Sequence, residues 1–355
     1  MAASGDLAVP RVVEAALPAI AAREGFTRPG FHVESGSNDG DGYMSVMYCI
    51  RVQNEDGDKD ALHLVSKVTT PSAEGAPMMS RMFAAEGSVY SQLLPAMEEI
   101  AGMRAPLPWP RSYHVAVTGP PPHCLVLRDL RPDGFAMVDR KKPLDLQHCR
   151  LMLRAIARFH GAGMALQHLR PDAFRAMRDA LGADLAAVEE TANNFMRFLA
   201  PGQAVPDLVR CRFGEVVYAK LKDMFTNIPN EFLDFMLPDP EGGNTIVHGD
   251  FHLNNILYQY EKDTGAVQDC VLIDFQMARY GCPASDLLPM LMAFTDKALR
   301  DEHWQGLLRG YHDELQATLR AAGCEDPDAI YSWERLTVTV SSYSYKLGLS
   351  WLGVA

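Results

Sequence analysis

The chain has 355 residues, of which 48% are hydrophobic and 22% are charged. This balance is typical of a folded globular protein and excludes a disordered or collagen-like polymer. The 33 Lys and Arg residues against 45 Asp and Glu residues give a formal net charge of −12, and this charge repels phosphate backbones and acidic bilayers. Nucleic acids and membrane surfaces are therefore not expected partners, and the length predicts about two lobes with a cleft between them.

Neither a signal peptide nor a membrane span is predicted. The start, MAASGDLAVP, has no basic segment followed by an apolar core, and no later run approaches about 18 uncharged apolar residues. The seven cysteines are scattered without a CxxC pair, which indicates reduced thiols instead of disulfides or a zinc site. We therefore predict a cytoplasmic protein, whose oligomeric state the sequence leaves open.

Three strands and a helix are predicted near the start of the chain. Alternating apolar residues predict the strands, at residues 31–34, 46–52 and 62–68. The first connection is a glycine-rich loop, and the second contains a polar turn with a D-G signal. Apolar residues at helical spacing then predict a helix over residues 79–94 that is interrupted at Pro95.

The rest of the chain is predicted to be mainly helical with a small inserted hairpin. After a proline-rich stretch, residues 123–127 have the pattern of a short buried strand, and Asp145 is a good N-cap for a long helix. Further helices are predicted over residues 171–199, over residues 208–237 and from Asp286 onward. Short strands are predicted at residues 245–247, 256–258 and 271–273.

These patterns predict an α+β fold of two lobes. The expected β-rich lobe covers residues 1–127, and the expected mainly helical lobe covers residues 128–355.

The strongest motif is IVHGDFHLNNIL at residues 246–257, followed by LIDFQ at residues 272–276. Phosphoryl transfer from ATP requires an acidic group that orients and deprotonates the attacking hydroxyl, and oxygen ligands for Mg²⁺. Asp250 has Asn255 five residues later, and Asp274 ends a predicted strand. This order matches the catalytic loop and the metal loop of a kinase. We predict Asp250 as the catalytic base and Asn255 and Asp274 as metal ligands.

Lys67 and Glu86 are predicted to complete a phosphate site. Lys67 lies on the third predicted strand, in LVSKV, where its long side chain can reach the α- and β-phosphates of ATP. Glu86 lies on the following helix, in FAAEG, and is the candidate carboxylate that holds the lysine in place. Without the Asp250 motif, both would be interpreted as ordinary surface residues. With it, we favour a role in nucleotide binding.

A loop and a crossover are predicted to complete the nucleotide site. The loop at residues 36–45 is rich in small residues, so its backbone N–H groups can cover phosphates. It does not fit G-x-G-x-x-G and carries two aspartates, so a surface hairpin is the alternative interpretation. The segment LVLRDL at residues 125–130 leaves a strand for the helical part, where a kinase chain offers backbone hydrogen bonds to adenine. The nucleotide-binding residues predicted in these two segments are Gly40, Gly42, Ser45, Leu127 and Arg128.

A metal-dependent hydrolase is the alternative for the same motif. His248, Asp250 and His252 alternate and could present metal ligands from a strand. No further His or Cys cluster would close such a site, and Lys67 and Asp274 would have no role in it. We interpret two other polar residues as structural, His160 as a packing residue and Asp286 as a helix cap that supports the catalytic loop.

In these motifs the chain resembles the ecdysteroid kinase-like family, within the superfamily of aminoglycoside phosphotransferases and choline kinases. The resemblance is carried by HGD and NN within residues 248–255, by DFQ at 274–276 and by RYGCPASDL at 279–287, and it extends in islands from about Gly36 to Leu291. It implies a protein-kinase-like fold and an ATP- and Mg²⁺-dependent transfer of the γ-phosphoryl group to a hydroxyl, in the best-known case of an ecdysteroid. Protein kinases match less well, because they carry arginine where Gly249 stands and glycine where Gln276 stands.

The resemblance leaves two groups of alternatives open. A choline, ethanolamine or aminoglycoside kinase would share this machinery and differ in the acceptor pocket, where cationic substrates require carboxylates and aromatic faces. A catalytically weak nucleotide- or hormone-binding protein is the other alternative, because the loop at residues 36–45 is acidic and the C-terminal segment is expected to be short for the family. Arg128 stands where the family commonly has an acidic residue at the adenine pocket. His252 likewise replaces a tryptophan that is frequent in the family.

Overall fold

The computed structural model describes residues 10–36, 45–57, 59–70, 77–102, 107–118, 121–181, 210–219, 222 and 235–346. An antiparallel five-stranded sheet occupies the first part of the chain, in the order β1-β2-β3-β5-β4. Its strands are β1 (Pro29–Ser35), β2 (Ser45–Asn54), β3 (Leu62–Thr69), β4 (Ser112–Ala116) and β5 (Cys124–Arg128). The strands predicted at residues 31–34, 46–52, 62–68 and 123–127 are all present, whereas β4 lies in the proline-rich stretch and was not predicted.

Helix α1 (Arg11–Arg23) covers one face of this sheet and was not predicted either. Its apolar side chains recur at helical spacing, although Pro18 lies within the helix. The side chains that pack together between helix and sheet are Val13, Leu17, Ile20, Ile50, Leu64 and Val126. Burial of each such side chain is worth about 1.5–3 kcal/mol, so this contact forms a core of its own.

A long helical segment packs on the other face of the sheet. It consists of α2 (Pro77–Ser88), a π-helical turn over Val89–Leu93 and α3 (Leu94–Ile100). The predicted interruption at Pro95 is wrong, because the helix continues for five residues beyond it. The π turn shifts the hydrogen-bond register so that Pro95, which has no N–H, falls in the first turn of α3.

The later part of the chain is built around helix α4 (Leu146–Leu169), which is buried over most of its length. Asp145 caps it as predicted and accepts a hydrogen bond from the backbone N–H of His148 at 2.9 Å. Two glycines allow α4 to pack closely against its neighbours. A Cβ on Gly163 would lie 2.5 Å from Oγ1 of Thr245, and a Cβ on Gly161 would lie 3.0 Å from Cβ of Thr318. The other helices are α5 (Pro171–Ala180), α6 (Ala284–Phe294), α7 (Lys297–Ala321), α8 (Pro327–Ile330) and α9 (Trp333–Lys346).

Two small sheets hold the loops of the predicted site. The first of their strands precedes α4 in the chain, and the others lie between α5 and α6. One pairs β6 (Phe135–Ala136), β8 (Ile256–Tyr260) and β9 (Val267–Leu272), and the other pairs β7 (Thr245–Val247) with β10 (Arg279–Gly281). The strands predicted at residues 245–247, 256–258 and 271–273 correspond to β7, β8 and β9. The two-residue β6 and the three-residue β10 are too short to produce an alternating pattern.

The predicted α+β class is confirmed, with antiparallel sheets followed by a mainly helical part. Of the helix predicted over residues 171–199, the structure contains α5, and residues 182–199 lie outside the described residues. Of the helix predicted over residues 208–237, parts of residues 210–219 are helical. Within the described residues, no helix is long and apolar enough to cross a membrane.

Candidate active site

The side chain of Lys67 lies between two carboxylates from distant parts of the chain. Its Nζ donates to Glu86 Oε2 at 2.7 Å and to Asp274 Oδ1 at 2.9 Å. Glu86 lies on α2, and Asp274 lies two residues after the end of β9 at Leu272. The structure therefore joins the predicted lysine, helix carboxylate and metal-loop carboxylate in one cluster, which we call the lysine cluster.

Burial and charge act against each other in the lysine cluster. Burial alone would lower the pKa of Lys67, but the charges of Glu86 and Asp274 and their hydrogen bonds outweigh it and raise that pKa above its ordinary value. Burial raises the pKa of Glu86, against the lowering effect of the Lys67 ammonium. The nearby Asp274 carboxylate also raises the pKa of Glu86, because one ammonium beside two carboxylates leaves an excess of negative charge. The cluster is therefore complementary to added positive charge.

Asp250 and Asn255 lie together in the loop between β7 and β8. The amide Nδ2 of Asn255 donates to the backbone oxygen of Asp250 at 2.8 Å and to its carboxylate Oδ2 at 3.1 Å. These two bonds close the loop over five residues and fix the carboxylate of Asp250 relative to the chain. The spacing noticed in the sequence thus corresponds to a direct contact.

Backbone hydrogen bonds attach this loop to the segment that carries Asp274. The backbone N–H of Ile273 donates to the backbone oxygen of Asn255 at 3.0 Å, and His248 Nε2 donates to the backbone oxygen of Ile273 at 3.0 Å. Asp274 itself has φ +65°, the one positive φ among the non-glycine residues in the described ranges. This strained conformation directs the carboxylate toward Lys67, and strain of this kind is frequent at functional sites.

Asp286 supports the catalytic loop, as predicted, but its prediction as a helix cap is wrong, because it lies in the first turn of α6, after the N-cap residue Pro283. Its carboxylate, 2% exposed as a residue, accepts hydrogen bonds from the backbone N–H groups of His248 at 2.7 Å and of Gly249 at 3.0 Å. His160 lies 3.1 Å from the same carboxylate and 2.8 Å from the hydroxyl of Tyr311, which agrees with its predicted packing role. Gly249 has φ +80°, and a Cβ there would lie 2.0 Å from the backbone oxygen of Met277, so only glycine fits.

The environment of Asp250 keeps its carboxylate ionised. Burial alone would raise the pKa of Asp250, but the hydrogen bond and charge of His252, the nearby His248 and Asn255 outweigh it and lower the pKa. An ionised carboxylate can accept a hydrogen bond from an incoming hydroxyl and orient it. It takes the proton late, which suits a phosphoryl transfer with a loose transition state.

The buried His248 makes folding stability sensitive to acid. Burial lowers the pKa of His248, although the charges of Asp286 and Asp250 act in the opposite direction. As the pH falls through about 6.5, this histidine therefore binds a proton more readily in the unfolded chain than in the folded protein. The free energy of unfolding falls as a result, by at most about 1.4 kcal/mol per pH unit for one group. Between pH 7.5 and 5.5, we expect the free energy of unfolding to change less steeply with pH in His248→Gln than in the wild type.

Urea titrations at several pH values measure this slope. The exposed His168 provides the control, and His168→Asn should retain the wild-type slope. Equal slopes in His248→Gln and the wild type would contradict this explanation of acid sensitivity.

One face of the five-stranded sheet forms a surface beside the lysine cluster. Lys67 is paired with Leu125, and Val65 is paired with Leu127, so these four side chains share a face. Cys49 faces Val65 from β2 on the same side. This face is mainly apolar except for Lys67, which suits a flat base stacked against a strand.

The remaining predicted nucleotide-binding residues are placed as follows. Ser45 begins β2 and pairs with Thr69. Arg128 ends β5 with its side chain on the opposite face from Leu127, where it forms an ion pair with Asp133 at 3.1 Å and does not join the lysine cluster. Gly40 and Gly42 lie outside the described residues.

The metal-hydrolase alternative loses its geometric basis. Strand β7 ends at Val247, so His248, Asp250 and His252 do not alternate along a strand. The ring of His248 is fully buried against Ile273. In the described part of the chain, no group of three or more His, Cys, Asp or Glu side chains could hold a metal ion.

Two features of the site were missed by the sequence analysis. A row of aromatic rings runs from the π-helical turn to the catalytic loop, with Tyr90 5.7 Å from Phe275 and Phe275 4.8 Å from His248, measured between ring centroids. Tyr90 lies one helical turn after Glu86, and that spacing was the available signal. Arg279 is 5% exposed and donates to Met236 O and to Ser285 Oγ, both at 3.2 Å; a charged residue in a buried strand was its signal.

Comparisons with known proteins agree with this geometry. The model of the ecdysteroid kinase-like family matches residues 39–324, which is most of the chain. The fold and its loops are those of a protein-kinase-like phosphotransferase, and specifically of a small-molecule kinase. The chain belongs to the ecdysteroid kinase-like family.

Several solved structures also match the chain, at low sequence identity. A protein from Ralstonia eutropha described as an aminoglycoside phosphotransferase is 12% identical, with 95% of this chain and 97% of that chain covered and a TM-score of 0.42. A GDP complex of aminoglycoside 2′-phosphotransferase IIIa is 15% identical, with 89% and 84% covered and a TM-score of 0.39. Aminoglycoside phosphotransferase APH(4)-Ia with AMP-PNP and hygromycin B is 14% identical, with 94% and 96% covered and a TM-score of 0.38. No curated protein matches this chain.

Proposed function

We propose that this chain is an ATP- and Mg²⁺-dependent kinase that transfers the γ-phosphoryl group of ATP to a hydroxyl of an ecdysteroid or a similar lipophilic alcohol. The observation that carries the proposal is the contact of Lys67 with both Glu86 and Asp274 next to the loop that bears Asp250. Kinases use such a lysine for phosphates and such a loop for the base. A binding protein with little catalysis would leave Asp250 and its Asn255 contact without a role.

Asp250 is the proposed catalytic base. The oxygen of the acceptor hydroxyl forms a bond to the γ-phosphorus as the bond from that phosphorus to the β–γ bridging oxygen breaks. The hydroxyl proton passes to the Asp250 carboxylate, and the electron pair of the broken bond leaves on ADP. The Asp250 side chain is 26% exposed, so a hydroxyl can reach it from solvent.

Asn255 and Asp274 are the proposed ligands for Mg²⁺, a cation that prefers oxygen ligands. The Asp274 side chain is 29% exposed and that of Glu86 is 2% exposed, so Asp274 is the accessible carboxylate of the lysine cluster. The amide nitrogen of Asn255 is bonded to Asp250, which leaves the amide oxygen for a metal. The excess negative charge of the cluster fits a cation there. When bound, Mg²⁺ neutralises charge on the β- and γ-phosphates.

For ATP, we propose that Lys67, steadied by Glu86, holds the α- and β-phosphates. Leu127 would pack against the adenine base, and the backbone of Arg128 would form hydrogen bonds with the edge of that base. The phosphates would be covered by the loop that contains Gly40, Gly42 and Ser45. In this assignment residues 1–127 form the nucleotide-binding lobe and residues 128–355 the catalytic and acceptor-binding lobe. We also propose a cytoplasmic location, which fits seven cysteines that form no disulfide bonds.

The family membership is what supports an ecdysteroid-like acceptor, and an ADP-release assay tests it. Purified protein with Mg²⁺-ATP is incubated with ecdysone, with choline or with an aminoglycoside. We expect ADP release above the acceptor-free rate with ecdysone only. ADP release that is stimulated only by choline or by the aminoglycoside would contradict the ecdysteroid-like acceptor but would still support a small-molecule kinase. ATP-dependent thermal stabilisation without ADP release from a broad alcohol panel would favour the binding-protein alternative.

Replacement of Lys67 by methionine is expected to lower kcat/KM for ATP by about 100-fold to 1,000-fold, because the phosphates lose a desolvated cation. It also leaves the buried Glu86 carboxylate without its partner. The double variant Lys67→Met/Glu86→Gln removes that unpaired charge and should recover thermal stability but not activity. Steady-state kinetics and thermal unfolding check both statements.

The exposed Lys262, in the turn between β8 and β9, provides the control for this prediction. Lys262→Met should have wild-type kinetics. Unchanged kcat/KM in Lys67→Met would remove Lys67 from the nucleotide site.

A further inference from the structure

The imidazole of His252 lies between the catalytic loop backbone and the carboxylate of Asp250. Its Nδ1 accepts a hydrogen bond from the backbone N–H of Asn254 at 3.2 Å, which caps the short turn Leu253–Asn255. Its Nε2 lies 3.3 Å from Asp250 Oδ1. The ring therefore contacts the proposed base through one nitrogen and the backbone through the other.

These contacts determine which nitrogen carries the proton in the neutral ring. A backbone N–H can only donate, so Nδ1 must be the acceptor and Nε2 must carry the hydrogen. The Nε2–H then lies beside the Asp250 carboxylate, with Nε2 3.3 Å from Oδ1. The other tautomer would place two donors against each other at Asn254 and two lone pairs against each other at Asp250. Asn255 Nδ2 also approaches Nε2, but at 3.5 Å it is nearer to its two oxygen acceptors on Asp250.

The two oxygens of the Asp250 carboxylate consequently face different donors. Oδ2 accepts from Asn255 Nδ2 at 3.1 Å, and Oδ1 faces His252 Nε2. Each carboxylate oxygen has two lone pairs, so one remains on each for the acceptor hydroxyl. With a donor on each oxygen, rotation of the carboxylate is restricted.

We propose that His252, with a hydrogen on Nε2, is a positioning residue that holds the Asp250 carboxylate in the orientation needed to receive the acceptor hydroxyl. This inference rests on the proposed function. The long Nε2 to Oδ1 distance is compatible with it, because hydrogen bonds at catalytic groups often shorten only when substrate is bound. His252 acts through Asp250 and does not itself exchange a proton with the substrate.

Three substitutions separate the two contacts of His252. In His252→Gln the amide nitrogen takes the place of Nε2 and can donate to Asp250. In His252→Asn the amide oxygen takes the place of Nδ1 and keeps the bond to the backbone of Asn254, but the donor to Asp250 is lost. His252→Phe keeps the ring shape and loses both contacts. The exposed His168→Asn is the control.

We expect kcat to fall by up to about 100-fold in His252→Asn and His252→Phe, because the base is misplaced. His252→Gln should keep kcat near the wild-type value, and KM for ATP should change little in any variant. Equal kcat in all three would overturn the proposal. Loss of kcat in His252→Gln with retention in His252→Asn would show that only the backbone cap matters.

A measurement without turnover separates this inference from the proposed function. Long-range ¹H–¹⁵N correlation spectra at pH 7.5 report the tautomer of each histidine. The inference requires the Nε2–H form at His252, and an Nδ1–H form would overturn it even if the protein is an active kinase. Absence of phosphoryl transfer by the wild type, with the Nε2–H form present, would overturn the proposed function and with it the positioning role.

Discussion

The variant Asp250→Asn is expected to lower kcat by about 100-fold to 10,000-fold, the range that a general base contributes. Asparagine keeps the size and most hydrogen bonds of the side chain, but it cannot take the hydroxyl proton. The ionised state of Asp250, with its pKa lowered by His252, His248 and Asn255, is lost as well. Because Asp250 does not contact Lys67, we expect Mg²⁺-ATP to stabilise the variant against heat as it stabilises the wild type.

Steady-state kinetics with saturating acceptor, together with thermal unfolding, measures both parts of this prediction. Asp263→Asn, in the exposed turn between β8 and β9, is the matched control and should have wild-type kcat. Turnover by Asp250→Asn within about twofold of the wild type would remove Asp250 from the role of base. Loss of nucleotide stabilisation would instead show that the substitution disrupts the whole site.

The variant Asp286→Ala is expected to lower the free energy of unfolding by about 3–5 kcal/mol, which is typical when one partner of a buried charged network is removed. The Asp286 carboxylate accepts hydrogen bonds from the backbone N–H groups of His248 and Gly249, and His160 also contacts it. Without this carboxylate, the buried N–H groups have no acceptor, and the whole free-energy cost of their desolvation destabilises the folded state. The catalytic loop loses its support at the residues that precede Asp250, so activity falls as well.

Urea unfolding measured at pH 7.5 checks this second prediction. Asp286→Asn should lie between the wild type and the alanine variant, because an amide oxygen can accept one of the lost bonds. Asp263→Ala removes an exposed carboxylate and should change the free energy of unfolding by about 0.5 kcal/mol or less. A similarly small change in Asp286→Ala would show that the loop does not depend on this residue.

The parts of the site that are close in sequence were predictable. Asp250 and Asn255 lie within one loop, and their five-residue spacing indicated a shared site, in which the structure adds a direct hydrogen bond between them. Lys67 and Asp274 are separated by 207 positions, so their contact could be inferred only by comparison with kinase motifs. The support of the loop by Asp286 joins residues 37 and 38 positions apart, so it depends on tertiary packing that no local pattern records.

Other elements could not be predicted because local signals conflicted with tertiary structure. Pro95 normally ends a helix, but the π turn before it supplies a register in which its missing N–H is tolerated. Strand β4 lies among prolines and is stabilised by its pairing with β5. The role of His252 depends on a backbone N–H of Asn254, which no side-chain pattern reveals.

The most direct test of the central claim is isotope tracing of the γ-phosphoryl group. The protein is incubated with Mg²⁺ and ATP labelled with ¹⁸O at the three terminal γ-oxygens, together with ecdysone or the alcohol that stimulates ADP release. Mass spectrometry should detect the alcohol heavier by one phosphoryl group that carries the three labelled oxygens, and Asp250→Asn should form almost none. ATP consumption that yields only labelled inorganic phosphate, with the alcohol unchanged, would contradict the assignment of this chain as a small-molecule kinase.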